Sequence, residues 1–309
     1  MYDRKLLILF GCLFPFFLSA QTLNGFDLGN SSIPVKEMFR GGPPRDGIPS
    51  IDEPKFISPD EARFLQSGDE VISVTVGDTT RAYPLRILIL HEIVNDTIED
   101  THFMVTYCPL CGTSMVFNRK IDGQVRSFGV SGLLYNSDVL MYDRETESLW
   151  SQLKMEGVSG SGRGKKLEWM TSDLMTWSAW RGKYPEGEVL STDTGHRRDY
   201  NASPYQDYFA SNRVMFPVDS SRIRGRLRDK EFVLGVIVGD TPKAYRMEEL
   251  PKQNGELRDR IQTRDLVIHY DAEAKHARVV DGDGNTVPSV TVYWFAWQAF
   301  YPHTRLWEK

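Results

Sequence analysis

Apolar and polar residues alternate through "EVISVTVGDTTRAYPL", residues 70–85, with a Gly-Asp break in the middle. That pattern predicts two strands joined by a tight turn. Pro84 then suits the first turn of a helix running through "PLRILILHEIVND", and its unbroken apolar stretch from Ile87 to Leu90 predicts burial. The strand "HFMVTY" follows, enters the turn "CPLCG", and "TSMVFNR" returns as its antiparallel partner.

Part of this pattern occurs twice. Residues 71–88 match 233–250 through the shared motif V-G-D-T-x-(R/K)-A-Y, and "MVTYCPLCGTSMVFNRKIDG" has a counterpart in "VIHYDAEAKHARVVDGDG". The expectation is an α+β fold, predominantly β, built as two related β-rich lobes from an internal repeat with short helices. The second copy puts Asp271 where the first has Cys108 and carries no cysteine in its turn. The scaffold therefore does not need the thiols, which argues against a purely structural staple.

Outside the repeat, residues 21–60 are rich in Gly, Pro and Asp, and predict an extended, turn-filled arm. The central segment 125–210 opens with short strand-like runs broken by Gly129, Gly132 and the polar Asn136-Ser137-Asp138. "TSDLMTWSAWRGKYP" predicts a short amphipathic helix capped by Thr171 or Ser172. The expected organisation is a signal peptide over 1–20, the arm over 21–60, a cysteine-containing lobe with the central segment over 61–210, and a second lobe without cysteines over 211–309.

Composition narrows the function classes. Hydrophobic residues make up 40% and charged residues 26%, an ordinary globular balance. A net charge of −5 with acids and bases intermixed gives no expectation of nucleic acid as a partner. Arg4 and Lys5 precede the apolar run "LLILFGCLFPFFL", and a small-residue site ends at Ala20, the layout of a secretory signal. An uncleaved anchor and a lipoprotein using Cys12 are the alternatives. Export to a periplasmic or extracellular space is the expectation, with no membrane span after signal cleavage. In such a space free thiols need a reason to stay unpaired.

Cys108 and Cys111 hold the C-x-x-C spacing of a zinc-ribbon knuckle, with Gly112 allowing backbone N–H groups to face sulfur. Two thiolates leave a copper or zinc ion short of ligands, and no second C-x-x-C exists. His91, just before the hairpin, is the leading supplement, although a lone buried histidine is equally served by an ordinary hydrogen bond. Glu92 or Asp138 could complete the site or orient His91. His102 shares the strand of Cys108 but lies on the order of 20 Å away. A thioredoxin-like switch would place the cysteines at a helix N-terminus, whereas the residues after Cys111 predict a strand. "HEIVN" lacks the second histidine of a zincin, and Cys111 is followed by Gly, which excludes c-type haem attachment there. His196, His269 and His276 read as surface or structural residues.

Taken in order, "DGIPSIDEPKF", "RAYPLRILILHEIVND", "VTYCPLCGT", "FGVSGLLYNSDVLMYDRETESLWSQL" and "WSAW" resemble the exported prokaryotic family catalogued as domain of unknown function 3179. The resemblance is strongest over residues 40 to 210, at His91, Glu92, Cys108, Cys111, Asn136, Asp138, Asp143, Arg144 and Trp150. It implies family membership and no particular reaction. The reading it leaves is an exported metal-binding protein with copper or zinc on Cys108, Cys111 and His91, with Glu92 and Asp138 nearby. A small-molecule ligand is a further possible partner. The alternatives are a thiol–disulfide oxidoreductase using Cys108 and Cys111, and a non-catalytic binding module with a structural disulfide.

Overall fold

The computed structural model describes residues 21–253 and 255–308, so the expected signal segment and Cys12 lie outside the described residues. The chain is predominantly β and is arranged as a five-bladed β-propeller, each blade a sheet of four or five strands. Two smaller two-stranded ribbons accompany the blades.

Alternation correctly marks the hairpins. Glu70–Val76 pairs antiparallel with Thr79–Pro84, and Thr101–Cys108 with Thr113–Asn118, the latter closing with Cys108 opposite Thr113. Ile93–Ile98 and Trp169–Met170 complete the blade that carries the cysteines. A second blade has the order Glu156–Gly157, Leu149–Ser151, Asp138–Asp143, Phe128–Tyr135 and Met38–Arg40. Its last strand comes from the 21–60 segment, whose Phe26, Leu28, Ile33 and Met38 pack with Leu133, Tyr142 and Leu149 in one buried cluster. The arm is thus built into the sheet.

The helix expected from Pro84 is cut short. It spans Leu85–Leu88, and the chain turns at Glu92, whose φ of 59° is left-handed and incompatible with a continuing helix. Ile93–Ile98 is a strand: its six residues pair in register with Thr101–Thr106, and that tertiary pairing overrides local helix propensity. The helix expected from Thr171 likewise begins later. Asp173–Thr176 is a strand against Glu70–Ser73, and the helix spans Trp177–Lys183 with Thr176 at its N-cap. Trp180 is fully buried there and donates its indole N–H to Ser73 Oγ at 2.9 Å.

The two matched segments give sheets of like topology. Glu188–Leu190 runs parallel to Thr79–Pro84 beyond a helix, as Arg305–Leu306 runs parallel to Thr241–Arg246 beyond Trp294–Phe300. They do not form two separate lobes. Cys108, Cys111 and Met115 share one core cluster with Val233, Val292, Trp294 and Trp297, and Tyr293 donates its N–H to the Cys111 carbonyl at 2.8 Å. His276 lies 2.9 Å from Asp173, joining the blades again. Aromatic bulk holds this shared cluster together: Trp294, Phe295 and Trp297 from the second segment are buried in it with the cysteine hairpin.

Candidate functional site

Two hairpins from neighbouring blades meet to form the site. The first carries Cys108 and Cys111 on either side of Pro109-Leu110. Cys111 donates its N–H to the Cys108 carbonyl at 3.2 Å, and Tyr208 donates its hydroxyl to the Leu110 carbonyl at 2.6 Å. Gly112 has φ 62°, and a Cβ there would lie 2.7 Å from Phe232 Cε1, so this turn admits only glycine without rearrangement.

Tyr135 and Asp138 pair across the second hairpin, leaving a two-residue turn of Asn136 and Ser137 with φ 49° and 64°. Positive φ at both central residues is the geometry whose twist matches a hairpin. For Ser137 it is strained, at roughly 1–3 kcal/mol. That conformation brings the Ser137 carbonyl to the thiols: Cys111 Sγ lies 3.3 Å from it and Cys108 Sγ 3.9 Å.

Behind the turn, Asp138 joins the cysteines. One carboxylate oxygen of Asp138 and the two sulfurs all lie within 4.8 Å of one another, and none of the three residues is more than 1% exposed. Both thiols are free. Asp138 Oδ2 accepts the Leu153 N–H at 3.0 Å, while buried Oδ1 has no hydrogen-bond partner among the described residues. Asn136 Nδ2 and Ser137 Oγ beside it are buried and unpartnered as well.

Electrostatics follows from burial. Desolvation pushes the Asp138 carboxyl up to about 7, against the backbone N–H groups of Leu153 and Val139. Glu92 is raised to about 8, by burial first and then by the negative charge of Asp138. Burial also lifts the Cys108 thiol, and lifts the Cys111 thiol well above the ordinary range. Four acidic groups are therefore gathered with no ion-pair partner among the described residues, and burial favours the protonated form of each.

His91 is fully buried beside Glu92 in sequence but is otherwise engaged. Its Nδ1 is 2.7 Å from the Pro49 carbonyl and its Nε2 is 2.8 Å from the Tyr200 hydroxyl. Burial lowers it to about 4, helped by repulsion from His196 and Arg198, so the ring is neutral at neutral pH. It is not one of the three clustered ligand residues. His102 bonds to Thr97 Oγ1 at 3.0 Å. Asp143, one of the positions that carry the family resemblance, is fully buried: it pairs with Arg126 at 3.1 Å and accepts the Trp150 indole N–H at 2.8 Å.

Sequence reasoning missed a second layer. Thr113 donates its hydroxyl to Gln152 Oε1 at 2.8 Å, Gln152 donates its amide to Thr106 Oγ1 at 2.7 Å, and Thr106 donates on to the Met115 carbonyl at 2.8 Å. This buried chain ties the cysteine hairpin to the Asp138 blade. Its signal was available, a Gln set between Trp150 and Leu153 in "SLWSQL".

No curated protein and no solved structure matches the chain. Residues 45–304 match the family described as "Protein of unknown function (DUF3179)", a span that takes in both hairpins, Glu92 and His91. On that coverage, the chain belongs to this family of unknown function.

Proposed function

We propose that the protein binds a metal ion, copper or zinc, through Cys108, Cys111 and Asp138. The observation that carries this reading is a fully buried trio of soft and hard ligand atoms within 4.8 Å, one of them a carboxylate with an unpartnered oxygen. In a tetrahedral site with metal–sulfur bonds of about 2.3 Å, ligand atoms stand about 3.8 Å apart, so closing on an ion needs a contraction of at most about 1 Å. A divalent cation would supply the positive charge that this box lacks and displace its protons.

The carboxylate moves the choice toward zinc, because a purely soft site would suit cuprous copper better. Glu92, whose carboxyl is raised in part by the charge of Asp138, lies outside the trio within 4.8 Å and is the candidate for holding a proton beside it. An open fourth position would allow Lewis-acid catalysis, and a closed one would make the site structural.

Thiol–disulfide exchange is the weaker reading, since burial raises both thiols and a strand, not a helix N-terminus, follows them. Two further inferences accompany the proposal. The leader over 1–20 exports the protein, and the matched segments descend from an internal repeat whose second copy carries no cysteine in its turn.

Metal analysis of the full chain, purified without added metal, tests the reading. One equivalent in the wild type, lost in Cys108→Ser and Asp138→Asn, supports it. A metal-free wild type with two titratable thiols, unable to take up zinc or cuprous copper, would sink it.

A further inference from the structure

A second site lies away from the thiols, on the loop that His91 supports. Thr192 and the run from His196 to Asn201 wall a cleft of about 610 Å³ with Phe64 and Arg86. Arg197 and Arg198 are exposed and form no ion pair among the described residues, Arg198 Nη1 donating only to the Arg197 carbonyl at 3.3 Å; the exposed Asp199 lines the same cleft and leaves the loop with one net positive charge. His196 stands beside them, its ring 5.6 Å from that of His91. Arg86, by contrast, is already neutralised by Asp69 at 2.9 Å and held by the Asn201 amide oxygen at 3.0 Å. In a chain of net charge −5, two adjacent unpaired guanidinium groups are a local reversal suited to an oxyanion.

The loop is fixed from below. The Tyr200 hydroxyl is 2.8 Å from His91 Nε2 and 2.6 Å from Thr194 Oγ1, so the arginines sit on a tethered wall.

The cleft continues. A second cavity of about 390 Å³ shares Arg86, Tyr200 and Asn201 with the first, and its character changes to Leu85, Ile89, Tyr107 and Phe209. Phe209 is 38% exposed, a large apolar face left in solvent. A third cavity of about 450 Å³ shares Glu70, Leu85 and Tyr107 with the second and reaches Gly112 and Phe232, at the flank of the cysteine turn. Glu70 borders the apolar part and would repel a second negative charge there, whereas Asp69 is paired with Arg86.

From this sequence of surfaces we propose that the groove binds a soluble amphipathic anion. A single carboxylate-type head would sit on Arg197 and Arg198, and an uncharged apolar body would run along Leu85, Tyr107 and Phe209 toward Gly112. The acidic border disfavours polyanions. The cleft dimensions suit one small molecule, whose burial would contribute through area while the arginines set orientation. This inference is independent of the metal reading.

Calorimetric titration of the full chain with decanoate, below its micellar concentration, tests it. The expected result is saturable binding near one equivalent, weakened at least about tenfold in Arg197→Ala/Arg198→Ala, with sulfate and octyl glucoside each far weaker than decanoate. Thermal unfolding and metal content of the double variant, measured alongside, are expected to match the wild type. The proposal is overturned if decanoate does not bind, if the double variant binds it equally, if sulfate or octyl glucoside matches it, or if association occurs only with anionic vesicles.

Discussion

Asn95 and Phe128 exchange two hydrogen bonds across the boundary between blades. The Asn95 amide donates to the Phe128 carbonyl at 2.8 Å, and the Phe128 N–H returns to Asn95 Oδ1 at 2.9 Å. A side chain thus completes a strand edge, locking the blade of the cysteines to the blade of Asp138. Site geometry depends on that lock, because the ligand atoms come from both sheets. Asn95→Ala leaves the Phe128 backbone groups buried and unpaired, at a cost of roughly 2–4 kcal/mol. Chemical denaturation should show that loss, with metal affinity falling alongside. Unchanged stability would mean that the interblade bond is replaced by water.

Metal uptake should be proton-coupled. Two raised thiols and an Asp138 carboxyl near 7 must all lose protons to coordinate. Apparent zinc affinity, measured against a chromophoric chelator, is therefore expected to climb steeply from pH 6 to pH 8 with proton release. A pH-independent affinity would exclude these ligands.

Without metal, stability should change with pH in the opposite sense. Asp138 and Glu92 have folded values of about 7 and about 8, above their ordinary 3.8 and 4.5. The native state holds protons that the unfolded chain has released, so their contribution is complete below about pH 4 and is lost as pH rises through 7 to 8. His91 acts the other way, because its folded value of about 4 lies below 6.5 and it adds stability as pH rises between those values. The two trends oppose each other up to pH 6.5, and only the decline remains above it. Melting temperature of the chelator-treated protein is expected to fall by several degrees between pH 6.5 and 8.5. Asp138→Asn with Glu92→Gln should flatten that slope.

Gly112→Ala tests the turn itself. The new methyl meets Phe232 at 2.7 Å and Tyr293 at 3.3 Å, on a backbone with φ 62°. The combined strain is about 1–3 kcal/mol or more, and relief would have to displace the cysteine turn. Lower metal stoichiometry together with a lower melting temperature is the expected result.

The sequence made local pairings legible where alternation and turn residues agree. The hairpin 101–118 and its Cys-x-x-Cys tip stand where period-two patterning placed them. The helix over 84–96 forms only over Leu85–Leu88, because the left-handed turn at Glu92 and the pairing of Ile93–Ile98 with Thr101–Thr106 are tertiary features that the apolar pattern does not carry. Closure into five blades was not legible. It rests on distant pairings such as Met38–Arg40 with Leu133–Tyr135, which no local window contains. Asp138 was named from its polar turn, but only the register that sets Asp138 opposite Tyr135 brings its carboxylate to the thiols. His91 was chosen for sequence proximity, and its ring nitrogens turned out to be taken.

That last point separates two roles experimentally. A ligand histidine would take the metal with it when removed, whereas a histidine that tethers Tyr200 would not. His91→Ala is expected to keep wild-type metal content, because the clustered atoms belong to Cys108, Cys111 and Asp138. The same change leaves the Pro49 carbonyl without its partner and the Tyr200 hydroxyl with Thr194 alone, and opens a cavity beneath the arginine loop. A stability loss of about 2–4 kcal/mol follows from the lost bonds and the void. Decanoate binding should weaken too, as Arg197 and Arg198 lose their fixed footing. Metal content that falls in step with the Cys108→Ser variant would instead place His91 in the metal's coordination shell and require the loop to move.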